Sequence, residues 1–277
     1  MTGDFGAPLV VNRATTFLFV PGDRPERFEK AFRSGADAII IDLEDAVGPA
    51  DKETALENTR QALAGDNLPE DFAALVRIND ASDVARLVAA PFDRLLGIVI
   101  PKSESVDEID AVCALLPAST PVVALIETAR GVSNAHSIAD HPRVSRLAFG
   151  AIDFAADVDA TAELVFDVAR AGLVMASRSA GKPGPIESPT PRFDDVQFVE
   201  AEARRARTLG FTAKLCIHPA QIEPVHKGFA PTEAEIEWAT RIVSLDGGAV
   251  QLDGAMVDKP VVDRARAILE REKRSES

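Results

Sequence analysis

The apolar residues of this chain fall into eight short runs, and their spacing narrows the possible folds more than any other feature. The runs cover residues 17–20, 38–43, 74–78, 96–100, 122–126, 146–149, 183–186 and 214–217. Each is too short for a helix. Ile39-Ile40-Ile41 and Val122-Val123-Ala124-Leu125-Ile126 are continuous in aliphatic residues, as expected of strands covered on both faces. Segments with helical periodicity separate the runs, notably 25–33, 52–63, 106–116, 161–180 and 194–209. Eight strand and helix units in series predict an α/β fold, a parallel sheet closed into a (β/α)8 TIM barrel, over residues 1–230. The seventh run is short and rich in Pro and Gly.

Beyond the eighth run the pattern predicts a helix at 233–243, a Gly- and Asp-rich loop and a final helix from about Val261. Residues 231–277 are therefore expected to form a C-terminal helical extension that packs on its own barrel or on a neighbouring subunit. The closing stretch 271–277 is expected to be disordered.

Composition excludes several classes. With 46% hydrophobic and 27% charged residues in 277, the chain has the make-up of a water-soluble globular protein. No apolar stretch reaches the ~18 residues needed to span a bilayer, and Met1 to Ala14 lacks a basic segment followed by an apolar one. No membrane association is expected, and the location is expected to be cytoplasmic. A formal charge of −14 argues against nucleic-acid binding, because a phosphate backbone would be repelled. Cys113 and Cys216 have no second thiol at ligand spacing and read as buried free thiols.

In a parallel barrel the catalytic groups stand at the carboxyl ends of the strands. The polar residues that follow the runs are Asp42, Glu44 and Asp45, then Arg77 and Asn79, Lys102, Glu127, Asp153 and His218. Glu127 and Asp153 would stand together at consecutive strand ends. Two such carboxylates call for a cation, and oxygen ligands favour Mg2+, with Mn2+ possible, over zinc, since the four histidines do not cluster. The bland alternative is that each acid caps a helix or pairs with an arginine such as Arg130. Arg77 presents a fork that matches a substrate carboxylate, or else forms a salt bridge to Asp42, Glu44 or Asp45. Arg24 and Arg27, beside the start of a helix at Pro25, suit an anionic ligand. His218 reads as a general base or, equally, a hydrogen-bonded structural residue. Lys102 reads as salt-bridged rather than as a Schiff-base lysine.

The segments Phe19-Val20-Pro21-Gly22-Asp23-Arg24-Pro25-Glu26-Arg27-Phe28, Ile41-Asp42-Leu43-Glu44-Asp45-Ala46-Val47, Val76-Arg77-Ile78-Asn79, Pro101-Lys102, Ile126-Glu127-Thr128-Ala129-Arg130-Gly131, Phe149-Gly150 with Asp153, and Ile217-His218-Pro219-Ala220-Gln221 together resemble the citrate lyase β-subunit-like branch of the HpcH/HpaI aldolase superfamily. That branch includes malyl-CoA and citramalyl-CoA lyases. The resemblance implies Mg2+ on Glu127 and Asp153, with Glu127 also facing the substrate. It implies Arg77 on the carboxylate of a 2-oxo acid, and coenzyme A, as part of an acyl-CoA substrate, held near Arg24, Arg27 and Lys30. It further implies a homo-oligomer, a trimer or dimer of trimers, in which Asp258 of the segment Asp253-Gly254-Ala255-Met256-Val257-Asp258-Lys259-Pro260 reaches a neighbour's active site. Arg77, Asp258 and Glu44 are then the catalytic candidates. From sequence alone, Asp258 would cap the last helix.

The implied reaction is metal-dependent carbon–carbon cleavage of a hydroxy-carboxyacyl-CoA, of citryl-, malyl- or citramalyl-CoA type, to a short acyl-CoA and a 2-oxo acid, or the reverse condensation. The alternatives are an aldolase acting on free 2-oxo acids without CoA, and a noncatalytic oxo-acid-binding subunit. The chain departs from the family pattern at Thr15, where many relatives carry Arg, at Ile152, where they often carry Glu, and at Glu187, where they often carry Asp.

Overall fold

The computed structural model describes residues 7–65, 67–87, 93–245, 250–252 and 255–275. Eight strands close into a barrel in sequence order: β1 Thr16–Pro21, β2 Ala38–Asp42, β3 Ala74–Arg77, β4 Leu95–Ile100, β5 Val122–Ile126, β6 Val144–Phe149, β7 Ile186–Glu187 and β8 Ala213–Cys216. Every pairing is parallel, and β1 closes on β8 through Phe17↔Leu215. This is the expected (β/α)8 barrel.

Alternation along each strand decides what fills the interior. Phe17, Ile40, Leu75, Val99, Val123, Leu125, Ala148, Ile186 and Leu215 form one buried cluster. Branched aliphatics dominate this cluster, as a packed barrel core requires. Val11 and Ala14 join it from the amino-terminal side. Val11 belongs to the helix Ala7–Arg13, which the sequence reading did not anticipate.

Near that end lies Arg146, fully buried on β6 and, among the described residues, without a carboxylate partner. Its guanidinium donates to the carbonyls of Ala14 (2.7 Å) and Gly184 (2.8 Å) and to Thr212 Oγ1 (2.7 Å), and lies over the Phe17 ring. Burial pushes it down to about 9, still cationic at neutral pH. Arg146→Ala is expected to cost roughly 3–5 kcal/mol, from the emptied volume and the orphaned carbonyls together. Urea unfolding measures this, and a loss below about 1 kcal/mol would contradict the role assigned to these bonds.

Contacts divide the chain after Gly228 into two compact units. In the second, the helix Glu233–Ser244 packs against Lys259–Ser275, with Ala239, Ile242, Val257, Ala265 and Ile268 as a small core. The expected Gly- and Asp-rich loop instead carries an antiparallel pair, Val250–Leu252 with Ala255–Val257. Asp253 and Gly254 of the family segment lie outside the described residues. The final helix runs through Ser275, which corrects the expected disorder from Arg271. Among the described residues no helix is long and apolar enough to cross a membrane. Both cysteines are free, Cys216 buried and Cys113 half-buried.

Candidate active site

Strand ends bring a dense set of charges to the carboxyl-terminal rim. Asp42 is the last residue of β2 and Arg77 the last of β3, and their Cα atoms are register partners. Asp42 is 1% exposed and accepts from Arg77 Nε (2.7 Å) and Nη2 (2.6 Å), while its oxygens also take the backbone N–H groups of Glu44 and Ala46. The arginine fork expected to grip a substrate carboxylate is therefore spent on Asp42. What remains for a ligand is the Nη1 edge, 2.9 Å from Glu44 Oε2 and 3.7 Å from Asp45. Asp42, Glu44 and Asp45 hold Arg77 firmly cationic against its own burial, and Phe19 stacks on it at 4.8 Å.

Glu127 directly follows β5 and is 1% exposed. Burial pushes its carboxyl up to about 7, with repulsion from Asp153 and Glu44 adding to the shift and the Lys102 backbone N–H opposing it. That N–H donates to Glu127 Oε1 at 2.8 Å. Oε2 lies against Gly150, so close that a Cβ there would sit 2.4 Å away. Asp153 stands in the first turn of the helix Ala151–Val158, which Gly150 begins, and its side chain is 40% exposed. Ser188 fixes that junction by accepting from Ala151 N (2.6 Å) and donating to Phe149 O (2.8 Å).

Lys102 ties the two halves together. Its ammonium bonds Glu44 Oε1 at 2.6 Å and lies 4.0 Å from Asp153 Oδ1. Glu44 Oε2 is buried against Arg77 Nη1, and burial raises the Glu44 carboxyl despite Lys102 and Arg77. Lys52 holds the same loop by donating to the carbonyls of Leu43 and Glu44 and to Asn79 Oδ1. Asp42, Glu44, Asp45, Glu127 and Asp153 against Arg77, Lys102 and Lys52 leave an excess of two negative charges when all are ionised, the charge of one divalent cation. Among the described residues no group of three or more His, Cys, Asp or Glu side chains has ligand spacing, so an ion here would be held by two carboxylates and take its other oxygens from water and substrate.

The remaining expectations sort as follows. Arg130 pairs with Glu104 (3.6 Å), so an arginine partner does not account for Glu127. His218 accepts from Ala220 N through Nδ1, caps a single 3-10 turn and stacks on Phe193 at 4.6 Å, which is the structural reading. The predicted helix 25–33 breaks into a 3-10 turn, Pro25–Arg27, and a five-residue helix, Phe28–Phe32. Arg24, Arg27 and Lys30 are exposed there, but so short a helix adds little dipole, and any anion would meet side chains alone. Glu187 is 3% exposed and accepts from Arg170 Nε at 2.8 Å, so its carboxylate is engaged by that arginine. Asp258 is exposed, and its Oδ1 accepts from Val261 N at 3.3 Å at the start of the last helix, as the capping reading expected. The Lys102 backbone N–H, Gly150, Ser188 and Lys52 were missed as parts of the site. Position just past a strand end could have flagged Lys102, Gly150 and Ser188, but not Lys52, which opens the helix Lys52–Ala64.

The family profile of HpcH/HpaI aldolase/citrate lyase matches residues 15–219. A citrate lyase subunit beta-like protein of Deinococcus radiodurans is 33% identical over 279 residues, covering 92% of this chain and 96% of that one. A (3S)-malyl-CoA thioesterase of Cereibacter sphaeroides is 33% identical over 268 residues, covering 91% and 92%. Among solved structures, CitE of Mycobacterium tuberculosis in complex with magnesium, acetoacetate and coenzyme A superposes with a TM-score of 0.81 at 32% identity, covering 94% of this chain and 98% of that one. The chain belongs to the HpcH/HpaI aldolase/citrate lyase family, on its citrate lyase β-subunit-like branch.

Proposed function

We propose that the chain is a Mg2+-dependent acyl-CoA lyase that splits a hydroxy-carboxyacyl-CoA into a short acyl-CoA and a 2-oxo acid, or joins them. The observation that carries this reading is Glu127, a buried carboxyl raised to about 7 beside Asp153 at the mouth of the barrel. Support comes from the relative solved with magnesium, acetoacetate and coenzyme A.

Glu127 Oε2 and Asp153 would hold the cation, while Lys102 N–H keeps Glu127 Oε1 in place. When bound, Mg2+ supplies the positive charge that eases negative charge on the substrate oxygen beside the scissile carbon–carbon bond. Arg77 contributes one N–H edge to the substrate carboxylate, because Asp42 occupies the other. Glu44, with its carboxyl raised by burial, is suited to take the substrate hydroxyl proton during cleavage. Arg24, Arg27 and Lys30 are exposed cations that would meet coenzyme A phosphates. Asp258 would donate a proton to the thioester enolate in a neighbouring subunit of a homotrimer. An oligomer is supported by the helix Glu163–Ser179, where Leu164, Val168 and Met175 leave an apolar stripe 59–73% exposed.

The test is incubation of the purified protein with Mg2+ and citryl-, malyl-, methylmalyl- and citramalyl-CoA in turn, with products resolved by mass. Formation of acetyl- or propionyl-CoA plus a 2-oxo acid is expected, and no cleavage of any of the four sinks the reading. The thioesterase relative favours a second reading, thioester hydrolysis, which would instead release free coenzyme A and a di- or tricarboxylic hydroxy acid. Asp258→Ala is expected to lose turnover while keeping Mn2+ binding. Mixed with Arg77→Ala it should regain part of the activity, and no recovery in oligomers shown to contain both variants argues against shared sites.

A further inference from the structure

Lys102 has a backbone that lysine rarely adopts. Its φ is +44°, in the left-handed region. The other described non-glycine residues there are Asn67 and Asp159, types whose short polar side chains tolerate that conformation. Glycine would take it without strain, so a lysine at this point is held by its surroundings. The hold is visible on both sides: Ser103 N donates to Leu125 O at 3.0 Å, and the buried Ser103 Oγ to Ile100 O at 2.9 Å.

The left-handed turn, placed one residue beyond Pro101 at the end of β4, does two things at once. It aims the Lys102 N–H across to β5, at Glu127 Oε1. It also sends the ammonium to Glu44 Oε1 at 2.6 Å and to within 4.0 Å of Asp153 Oδ1. A single residue thus touches or faces three of the five clustered carboxylates. Glu44 reinforces the ammonium's charge against partial burial, so it stays cationic.

We propose that Lys102 is a positioning residue with two separable parts: its backbone N–H orients Glu127 as a metal ligand, and its ammonium competes with the divalent cation for the charge of Asp153 and Glu44. The inference rests on the metal reading above and deepens it. A positive charge so close to a ligand carboxylate weakens ion binding by Coulomb repulsion, damped because both side chains are 40–49% exposed. Affinity for the metal is then set below what two carboxylates could give, and part of the site's charge is balanced from within.

The ammonium can be removed while the backbone N–H stays. Lys102→Met removes the ammonium and keeps the strained backbone, whereas Lys102→Gly removes the ammonium and relaxes the strain. Lys102→Arg keeps the charge. Titration of the full-length proteins with Mn2+ alone, followed by electron paramagnetic resonance, is expected to show about three- to thirtyfold tighter binding for Lys102→Met and Lys102→Gly. Lys102→Arg should stay within about threefold of wild type on the same grounds. A purely structural lysine would not tighten metal binding when removed. Unchanged or weaker Mn2+ binding by Lys102→Met, in a protein with wild-type circular dichroism, overturns the proposal. Glu127→Gln is titrated alongside: if it binds Mn2+ like wild type, the metal reading itself has failed, whatever Lys102 does.

Discussion

Glu127→Gln is expected to lower turnover on the order of a thousandfold or more and to remove Mn2+ binding, in a protein at least as stable as wild type. The amide has the same shape, so its oxygen still accepts from Lys102 N–H, and the buried site is not emptied. Neutralising it removes the repulsion from Asp153 and Glu44 that helps raise the carboxyl to about 7. What the variant lacks is negative charge on the atom facing the rim. Chemistry and folding therefore separate cleanly here, as they would not for Glu127→Ala. A Glu127→Gln protein with near-normal lyase activity, or with wild-type Mn2+ affinity, would remove the basis for the proposed mechanism.

The same raised carboxyl fixes the direction of a pH effect. A metal ligand must be deprotonated, and Glu127 holds its proton until about pH 7. Apparent Mg2+ affinity should therefore weaken by about tenfold for each pH unit below that value and level off above it. In Asp153→Asn the repulsion that helps raise Glu127 is gone, so any residual binding should keep its strength to lower pH. Calorimetric titration from about pH 5.5 to 8.5 reads both effects.

Much of the barrel was legible because its strands are buried on both faces, which makes them apolar runs that stand out from amphipathic helices. The run at 122–126 coincides with β5, and six others match within two residues at either end. The seventh was misplaced: Pro183 and Pro185 lack N–H groups for the ladder, and Gly184 lies so near Gly210 O that a Cβ would clash at 2.4 Å. Pairing there is confined to Ile186 and Glu187. The helix Ala7–Arg13 was invisible because seven residues carry too little periodicity, and its residue Val11 is identified as core only by tertiary packing. For the site, strand ends named Asp42, Glu44, Arg77, Lys102, Glu127 and Asp153 correctly as rim residues. Which partner consumes which N–H could not be read, since residue type does not say that Asp42 takes two donors of Arg77. Nor does the letter K announce a left-handed backbone.

Gly150→Ala is the substitution whose effect least resembles its size. The added methyl would lie 2.4 Å from Glu127 Oε2 and 2.7 Å from Glu127 Cβ, both closer than atoms can approach. Rotating the carboxylate relieves only the first contact, because Cβ is fixed to the end of β5. The remaining escape is a shift at the start of the helix Ala151–Val158, and that helix carries Asp153 in its first turn. Either response separates the two carboxylates from their working positions, and a misplacement of about 1 Å can cost a hundredfold in rate. Turnover is expected to fall by about that factor or more, with weaker Mn2+ binding and an overpacking loss of about 1–3 kcal/mol. Gly172→Ala is the stability control: nothing in this chain lies within 4 Å of the new methyl, and stability should be equal or up to about 1 kcal/mol higher. If Gly150→Ala kept wild-type metal affinity and rate, the contact between Gly150 and Glu127 could not be what seats the ligand.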